Sequence, residues 1–244
     1  MKKIQGLIVV TLMVSLTIFS GCDELKIFGK EEKKQEYFPE RKVLEGINII
    51  GQKGDGCAWA SAEMVLKYYG YDVSQETIGQ MTCKDTVHNW ERGLTDDLFD
   101  RYTEIIEQLS DNSLEVEQLS VNDKQETLNQ IKNAIFNDNP IILMSNGGWL
   151  IDFFDYIKHP INVHASVIVG YSLNSREVFV KELPILGVSP PAIKLYDPAT
   201  VFLDFGAYWL NFATFYKKTT DGSFLRLWEV KERVGSFNFE RIFF

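Results

Sequence analysis

Gln52-Lys-Gly-Asp-Gly-Cys57-Ala-Trp-Ala-Ser-Ala-Glu-Met-Val-Leu-Lys-Tyr-Tyr-Gly70 is the stretch from which the rest of the chain takes its sense. A glycine-rich turn, Gly51 to Gly56, brings the backbone to Cys57, where an apolar run begins at once. Ala58, Ala60, Ala62, Met64 and Leu66 are good helix formers and Gly70 supplies a stop, so the run predicts a helix starting at the cysteine. A thiol at that position lies in the partial positive charge of the helix N-terminus, which favours thiolate, the form that attacks carbonyl carbon. Gln52 lies close enough upstream to aim a side-chain N–H at the same point. A nucleophile and an oxyanion donor are thus both available here. Taken alone, Cys57 also reads as a buried structural cysteine, and Gln52 as an ordinary loop residue.

Two later residues bear on that choice. His164 opens the apolar strand H-A-S-V-I-V-G-Y, which places its imidazole at the mouth of a buried strand. Asp197 closes the strand K-L-Y-D-P, where Pro198 stops the pairing and leaves the carboxylate at a rim. Each has an ordinary alternative, an incidental histidine and a common Asp-Pro turn. Together with Cys57 they suit a relay in which imidazole takes the thiol proton and carboxylate orients the imidazole. His88 and His159 sit in expected loops without an acidic partner at a telling distance. With three histidines in all and neither C-x-x-C nor H-E-x-x-H, the sequence points to no metal site and no cofactor. Asn146-Gly-Gly-Trp149 follows an expected strand and reads either as cleft lining or as a plain turn with a packed Trp.

Helical spacing recurs after the Cys57 helix. Ser74 is a candidate N-cap for a short helix to Gln80, and Thr95 for one carrying Leu98, Phe99, Tyr102, Ile105, Ile106 and Leu109. A further helix is expected from Asp123 to Phe136, with Leu128, Ile131 and Ile135 on one face. Strands are expected at Ile47–Ile50, Leu114–Leu119, Pro140–Met144, Val163–Tyr171, Glu177–Glu182, Ile193–Tyr196 and Phe224–Val230, and a helix over Asp204–Lys217. No internal repeat is visible. Helices first and an antiparallel sheet second predict an α+β domain, with the nucleophile helix packed across the sheet.

The N-terminus reads as a leader. Lys2 and Lys3 form a basic n-region, Leu7 to Phe19 an apolar h-region short for a membrane span, and Ser20-Gly21 precede Cys22. An uncleaved membrane anchor is the alternative. Residues 23–42 alternate charge with little apolar period, as a tether would. The expected division is therefore leader 1–21, Cys22 and tether 22–42, and folded domain 43–244. At 45% hydrophobic residues, with 17 Phe, 10 Tyr and 5 Trp, that domain can build a sizeable core. A formal net charge of −9 with no basic run argues against a nucleic-acid partner. Cys57 and Cys83 would lie where disulfides are permitted, but a domain of this size does not need one.

F-S-G-C22 resembles the lipobox of bacterial lipoproteins, which implies lipidation of Cys22 and an exported, membrane-anchored protein. From Gln52 through Cys57-Ala-Trp-Ala-Ser, Pro140-Ile-Ile-Leu, His164-Ala-Ser-Val-Ile-Val-Gly-Tyr171 and Tyr196-Asp-Pro-Ala199, the chain resembles the papain-like cysteine peptidases. The resemblance is closest to the bacteriocin leader-peptidase (double-glycine peptidase-like) branch and spans about residues 44 to 200. It implies Cys57 as nucleophile, His164 as base, Asp197 as orienter and Gln52 as oxyanion donor, acting on a peptide or protein substrate. Gln52 stands one residue closer to the cysteine than is usual there. A long insertion, Leu183–Pro191, falls between His164 and Asp197, where it would shape the groove. Two other functions fit the same features: a cell-wall amidase or acyltransferase with this triad, and an inactive lipid-anchored binding protein.

Overall fold

The computed structural model describes residues 37–145, 164–174, 191–201, 206–220 and 225–235. The leader, Cys22, the tether up to residue 36, Asn146–Trp149, His159, the expected strand Glu177–Glu182, Phe224 and all but the last residue of the insertion Leu183–Pro191 lie outside them. Contacts divide the chain into Met1–Tyr37 and Phe38–Phe244, and every element below belongs to the second unit.

Three helices lie between Cys57 and Leu109, as the spacing predicts. Helix α1 runs Cys57–Tyr68, α2 Gln75–Cys83 and α3 Phe99–Leu109. The side chain of Ser74 caps α2 by accepting from the Thr77 N–H, and Gly70, at φ 87°, releases the chain after α1 in a conformation that suits glycine. Thr95 starts a 3-10 turn, Asp96–Leu98, that leads into α3 without a side-chain cap bond. Residues Cys57 to Leu66 of α1 are all buried, so this is a central helix enclosed on every side. Its alanines keep it slim enough for that position. Its one buried carboxylate, Glu63, is met by Lys67 one turn on at 2.9 Å. Trp59, fully buried, donates its indole N–H to the Trp90 carbonyl and packs on Tyr102, which in turn meets Trp228. Truncating such a ring to alanine costs about 3–5 kcal/mol.

The sheet is antiparallel throughout its described pairs. Its strands are β1 Arg41–Val43, β2 Leu114–Gln118, β3 Ile141–Ser145, β4 His164–Ser172, β5 Ala192–Tyr196, β6 Ala207–Asn211 and β7 Leu225–Glu232. The order is β2-β7-β3-β4-β5-β6, with β1 paired to β4. Helix α4, Lys124–Phe136, capped by Asp123, joins β2 to β3 and packs on β4, β3 and β1. Strand β4 is buried at every position, and α1 packs mainly against it. This is the α+β arrangement read from the sequence.

Two elements differ from expectation. The first strand is not Ile47–Ile50, which is irregular, but Arg41–Val43, which straddles the expected boundary between tether and folded domain. β5 takes one edge of β4, while β3 and β1 share the other, β3 along His164–Ile168 and β1 along Gly170–Ser172. Gly170 makes that approach possible, since a Cβ there would stand 2.8 Å from the Lys42 carbonyl. The second difference is Asp204–Lys217. It is not one helix: β6 comes first, and helix α5, Phe212–Thr220, follows. Aromatic spacing suggested a helix, but pairing to β5 holds Ala207–Asn211 extended.

Candidate active site

Cys57 is the first residue of α1, preceded by Gly56. A side chain at Gly56 would run 2.8 Å from the Trp59 ring and 2.9 Å from the Lys53 carbonyl, so glycine is what lets the turn enter the helix so tightly. Tyr102 of α3 donates its hydroxyl to the Ala58 carbonyl at 2.7 Å, anchoring the first turn of α1 from behind. The thiol is 7% exposed and accepts a hydrogen bond from the Ala165 N–H at 3.3 Å. Helix start and strand start thus meet at the sulfur.

His164 and Asp197 come together through register. β4 and β5 are antiparallel with Val167 opposite Tyr196, so the residue after Tyr196 falls beside the beginning of β4. The imidazole Nε2 lies 3.0 Å from Asp197 Oδ1. Both groups are buried, at 3% and 0% exposure. Asp197 is well supplied with donors: Oδ1 also accepts the Ala199 N–H at 2.9 Å, and Oδ2 accepts the Tyr208 hydroxyl at 3.1 Å. Its own N–H donates to the Gly206 carbonyl, which carries the β5–β6 pairing one step further and fixes the carboxylate.

The electrostatics follow from that enclosure. For His164, burial is the largest influence and opposes the charged ring. The Asp197 charge and hydrogen bond, with the adjacent Cys57 side chain, outweigh it and hold the imidazole well above its usual range. Burial, then the Asp197 charge, pushes Tyr208 well above the ordinary phenol range, so it stays a donor. An imidazolium beside a thiol, steadied by a buried carboxylate, is an arrangement that can hold a thiolate ready for attack.

Gln52 is placed differently. Its side-chain Nε2 donates to the Gly54 carbonyl at 2.7 Å, and its Oε1 is buried without a partner. Its backbone N–H donates to the Pro198 carbonyl at 3.0 Å, tying the glycine-rich turn to the residue after Asp197. No hydrogen bond between the Gln52 side chain and Cys57 or His164 occurs among the described residues. Cys57, His164 and Asp197 are therefore brought together, and Gln52 joins them through its loop.

Cys57 and Cys83 are both free thiols, and burial pushes the Cys83 thiol above its usual range. His88 does have an acidic partner, contrary to the sequence reading: Nε2 lies 2.8 Å from Asp97 Oδ2, on the exposed turn before α3. Among the described residues, no group of three or more His, Cys, Asp or Glu side chains converges as metal ligands would. The role of Tyr208 is hidden in the sequence because the aromatic spacing of its segment predicts a helix. Gly206 followed by the short aromatic and apolar run Tyr208-Trp209-Leu210 is the strand signal that could have found it.

The sequence model of the Peptidase_C39 like family matches residues 39–216. No curated protein matches the chain. Among solved structures, the crystal structure of a double glycine motif protease from an AMS/PCAT transporter in complex with the leader peptide aligns with a TM-score of 0.43. That alignment has 16% sequence identity and covers 78% of this chain and 99% of that one.

Proposed function

Because the chain belongs to the Peptidase_C39 like family, and so to the papain-like cysteine peptidases, we propose that it cleaves peptide bonds through Cys57, His164 and Asp197. One observation carries the assignment of roles. The Asp197 carboxylate, the His164 imidazole and the Cys57 thiol form a buried succession at the helix N-terminus, with 3.0 Å between carboxylate and ring.

In this reading His164 takes the thiol proton, giving thiolate and imidazolium. The thiolate attacks the peptide carbonyl carbon, and the tetrahedral oxyanion is held by the Cys57 backbone N–H and by Gln52. Collapse breaks the C–N bond as the imidazolium passes its proton to the leaving amine, leaving a thioester on Cys57. Water, deprotonated by His164, attacks the thioester and releases the acid and the thiol. Asp197 accepts from Nε2 throughout, which leaves Nδ1 to face sulfur and substrate. For Gln52 the side chain must exchange its bond to the Gly54 carbonyl for one to the oxyanion.

We further propose that the protein is exported and held at a membrane by lipid on Cys22, on the strength of the basic, apolar, small-residue leader that precedes it. The catalytic reading is tested with the full-length chain and a mixed peptide library, products being identified by mass. Cleavage is expected for the parent, and loss of it for Cys57→Ala and His164→Ala. Iodoacetamide should modify Cys57 ahead of Cys83, whose buried thiol lies above its usual range. Cleavage surviving in Cys57→Ala, or prior labelling of Cys83, would refute the assignment.

A further inference from the structure

Gln75 is buried in a way that no feature of the sequence announces. It is the first residue of α2, a position where a glutamine ordinarily points to solvent, yet it is 2% exposed. Burying a primary amide is unfavourable unless both of its ends are bonded. Here both are: Nε2 donates to the Gly51 carbonyl at 2.9 Å, and Oε1 accepts the Lys53 N–H at 2.9 Å. These two groups belong to the peptide units on either side of Gln52. The Gln52 N–H is itself bonded to the Pro198 carbonyl. The backbone of Gln52 is thus gripped between one buried side chain from α2 and the turn that carries Asp197.

The grip matters because of what it holds. The loop contains Gly51, Gly54 and Gly56, and glycine-rich backbone has many accessible conformations. Left to local preferences, it would not keep Gln52 in one place. Oxyanion stabilisation is strongest when little has to reorganise as the charge develops, and with the Gln52 backbone fixed only its side chain has to turn, from the Gly54 carbonyl to the oxyanion.

We propose that Gln75 is a positioning residue for the oxyanion loop: its side-chain amide bridges the Gly51 carbonyl and the Lys53 N–H and thereby fixes the Gln52 backbone from which the side chain turns to the reacting carbonyl at Cys57. This rests on Gln52 acting as the oxyanion donor.

Two small reagents that reach the same sulfur separate the possibilities. p-Nitrophenyl acetate acylates the thiolate through a tetrahedral oxyanion and releases nitrophenolate. Iodoacetamide alkylates it by displacing iodide, with no oxyanion formed. The full-length chain is compared with Gln52→Ala, Gln75→Leu, Gln75→Glu and the double variant Gln52→Ala/Gln75→Leu. Gln75→Glu is isosteric and still accepts from Lys53, but it sets a carboxylate oxygen against the Gly51 carbonyl, so it breaks half the bridge without opening a cavity.

Gln52→Ala should slow acylation roughly 10²-fold, as loss of an oxyanion donor does. The Gln75 variants should slow it about 10- to 100-fold, the effect of a donor misplaced by about an ångström. All should alkylate within about twofold of the parent, since proximity effects of this kind act on the oxyanion step alone. The double variant should be no slower than Gln52→Ala, because Gln75 acts through Gln52. Normal acylation in both Gln75 variants beside a slow Gln52→Ala overturns the inference and leaves Gln52 in its role. Equal slowing with both reagents, or additive losses in the double variant, also overturns it and makes Gln75 a structural residue. Normal acylation in Gln52→Ala removes the donor itself, and the inference with it.

Discussion

Replacing Asp197 by Asn isolates the charge of the carboxylate from its geometry. The three hydrogen bonds at the Asp197 carboxylate decide how the amide will sit. Oδ1 accepts from both His164 and Ala199, so an NH2 group there would face two donors, whereas the Tyr208 hydroxyl beside Oδ2 can rotate and accept. The Asn oxygen therefore takes the Oδ1 position, and His164 keeps its acceptor and its tautomer. What disappears is the charge. A hydrogen bond to a charged partner contributes about 1.5–3 kcal/mol and a neutral one about 0.5–1.5, a difference of about 1–1.5 kcal/mol. That corresponds to a roughly 5- to 10-fold fall in kcat/KM. Asp197→Ala removes the acceptor as well and leaves the Ala199 N–H and Tyr208 hydroxyl without this partner, so a loss of about 10²-fold or more is expected. The sign of the pH effect follows from His164, whose folded-state value lies above its ordinary one because the Asp197 charge and bond, with Cys57, outweigh burial. With Asn the imidazolium loses that support, and the alkaline limb of the kcat/KM profile moves to lower pH. A raised histidine value also means that this pair stabilises the fold fully below about pH 6.5 and gives up that contribution as pH rises through the folded-state value. Asp197→Asn should accordingly lower the melting temperature more at pH 5.5 than at high pH. The assay is the full pH profile of ester acylation for parent, Asn and Ala variants, with melting curves. An alkaline limb that stays in place in Asp197→Asn, or equal losses in Asn and Ala, would refute the reasoning.

Two further outcomes are expected. Gly170→Ala should displace β1, because the new Cβ would stand 2.8 Å from the Lys42 carbonyl and 3.0 Å from the Val43 side chain. The cost should be about 1–3 kcal/mol, or a fall of about 3–10 °C in Tm, and a Tm within about 1 °C of the parent would show that β1 yields freely. Cys22→Ser should abolish incorporation of a fatty-acid analogue in cells and release the protein from the membrane fraction, and a label that persists would exclude lipid at Cys22.

Local patterns were sufficient for much of this molecule. The helix at Cys57 was legible because alanines, a glycine turn before and a glycine stop after all act within a few residues. His164 and Asp197 were legible as strand ends for the same reason, since an apolar run and a proline mark where pairing stops. What the sequence could not contain was distance across the sheet. That Asp197 meets His164 depends on the β4–β5 register, which the pattern of either strand alone leaves undetermined. The segment at Tyr208 shows tertiary context prevailing over local spacing. Its aromatics fit a helix, but an open edge of β5 offered backbone partners, and the paired strand delivered a hydroxyl to Asp197. Gln75 lay furthest from view. A glutamine opening a helix carries no local mark of burial, and only packing of α2 against the glycine-rich turn gives its amide two peptide groups to hold. Residue type and short-range period set which groups can do chemistry and on which elements they ride. Strand register and helix packing, which join residues far apart in the chain, set which of those groups touch.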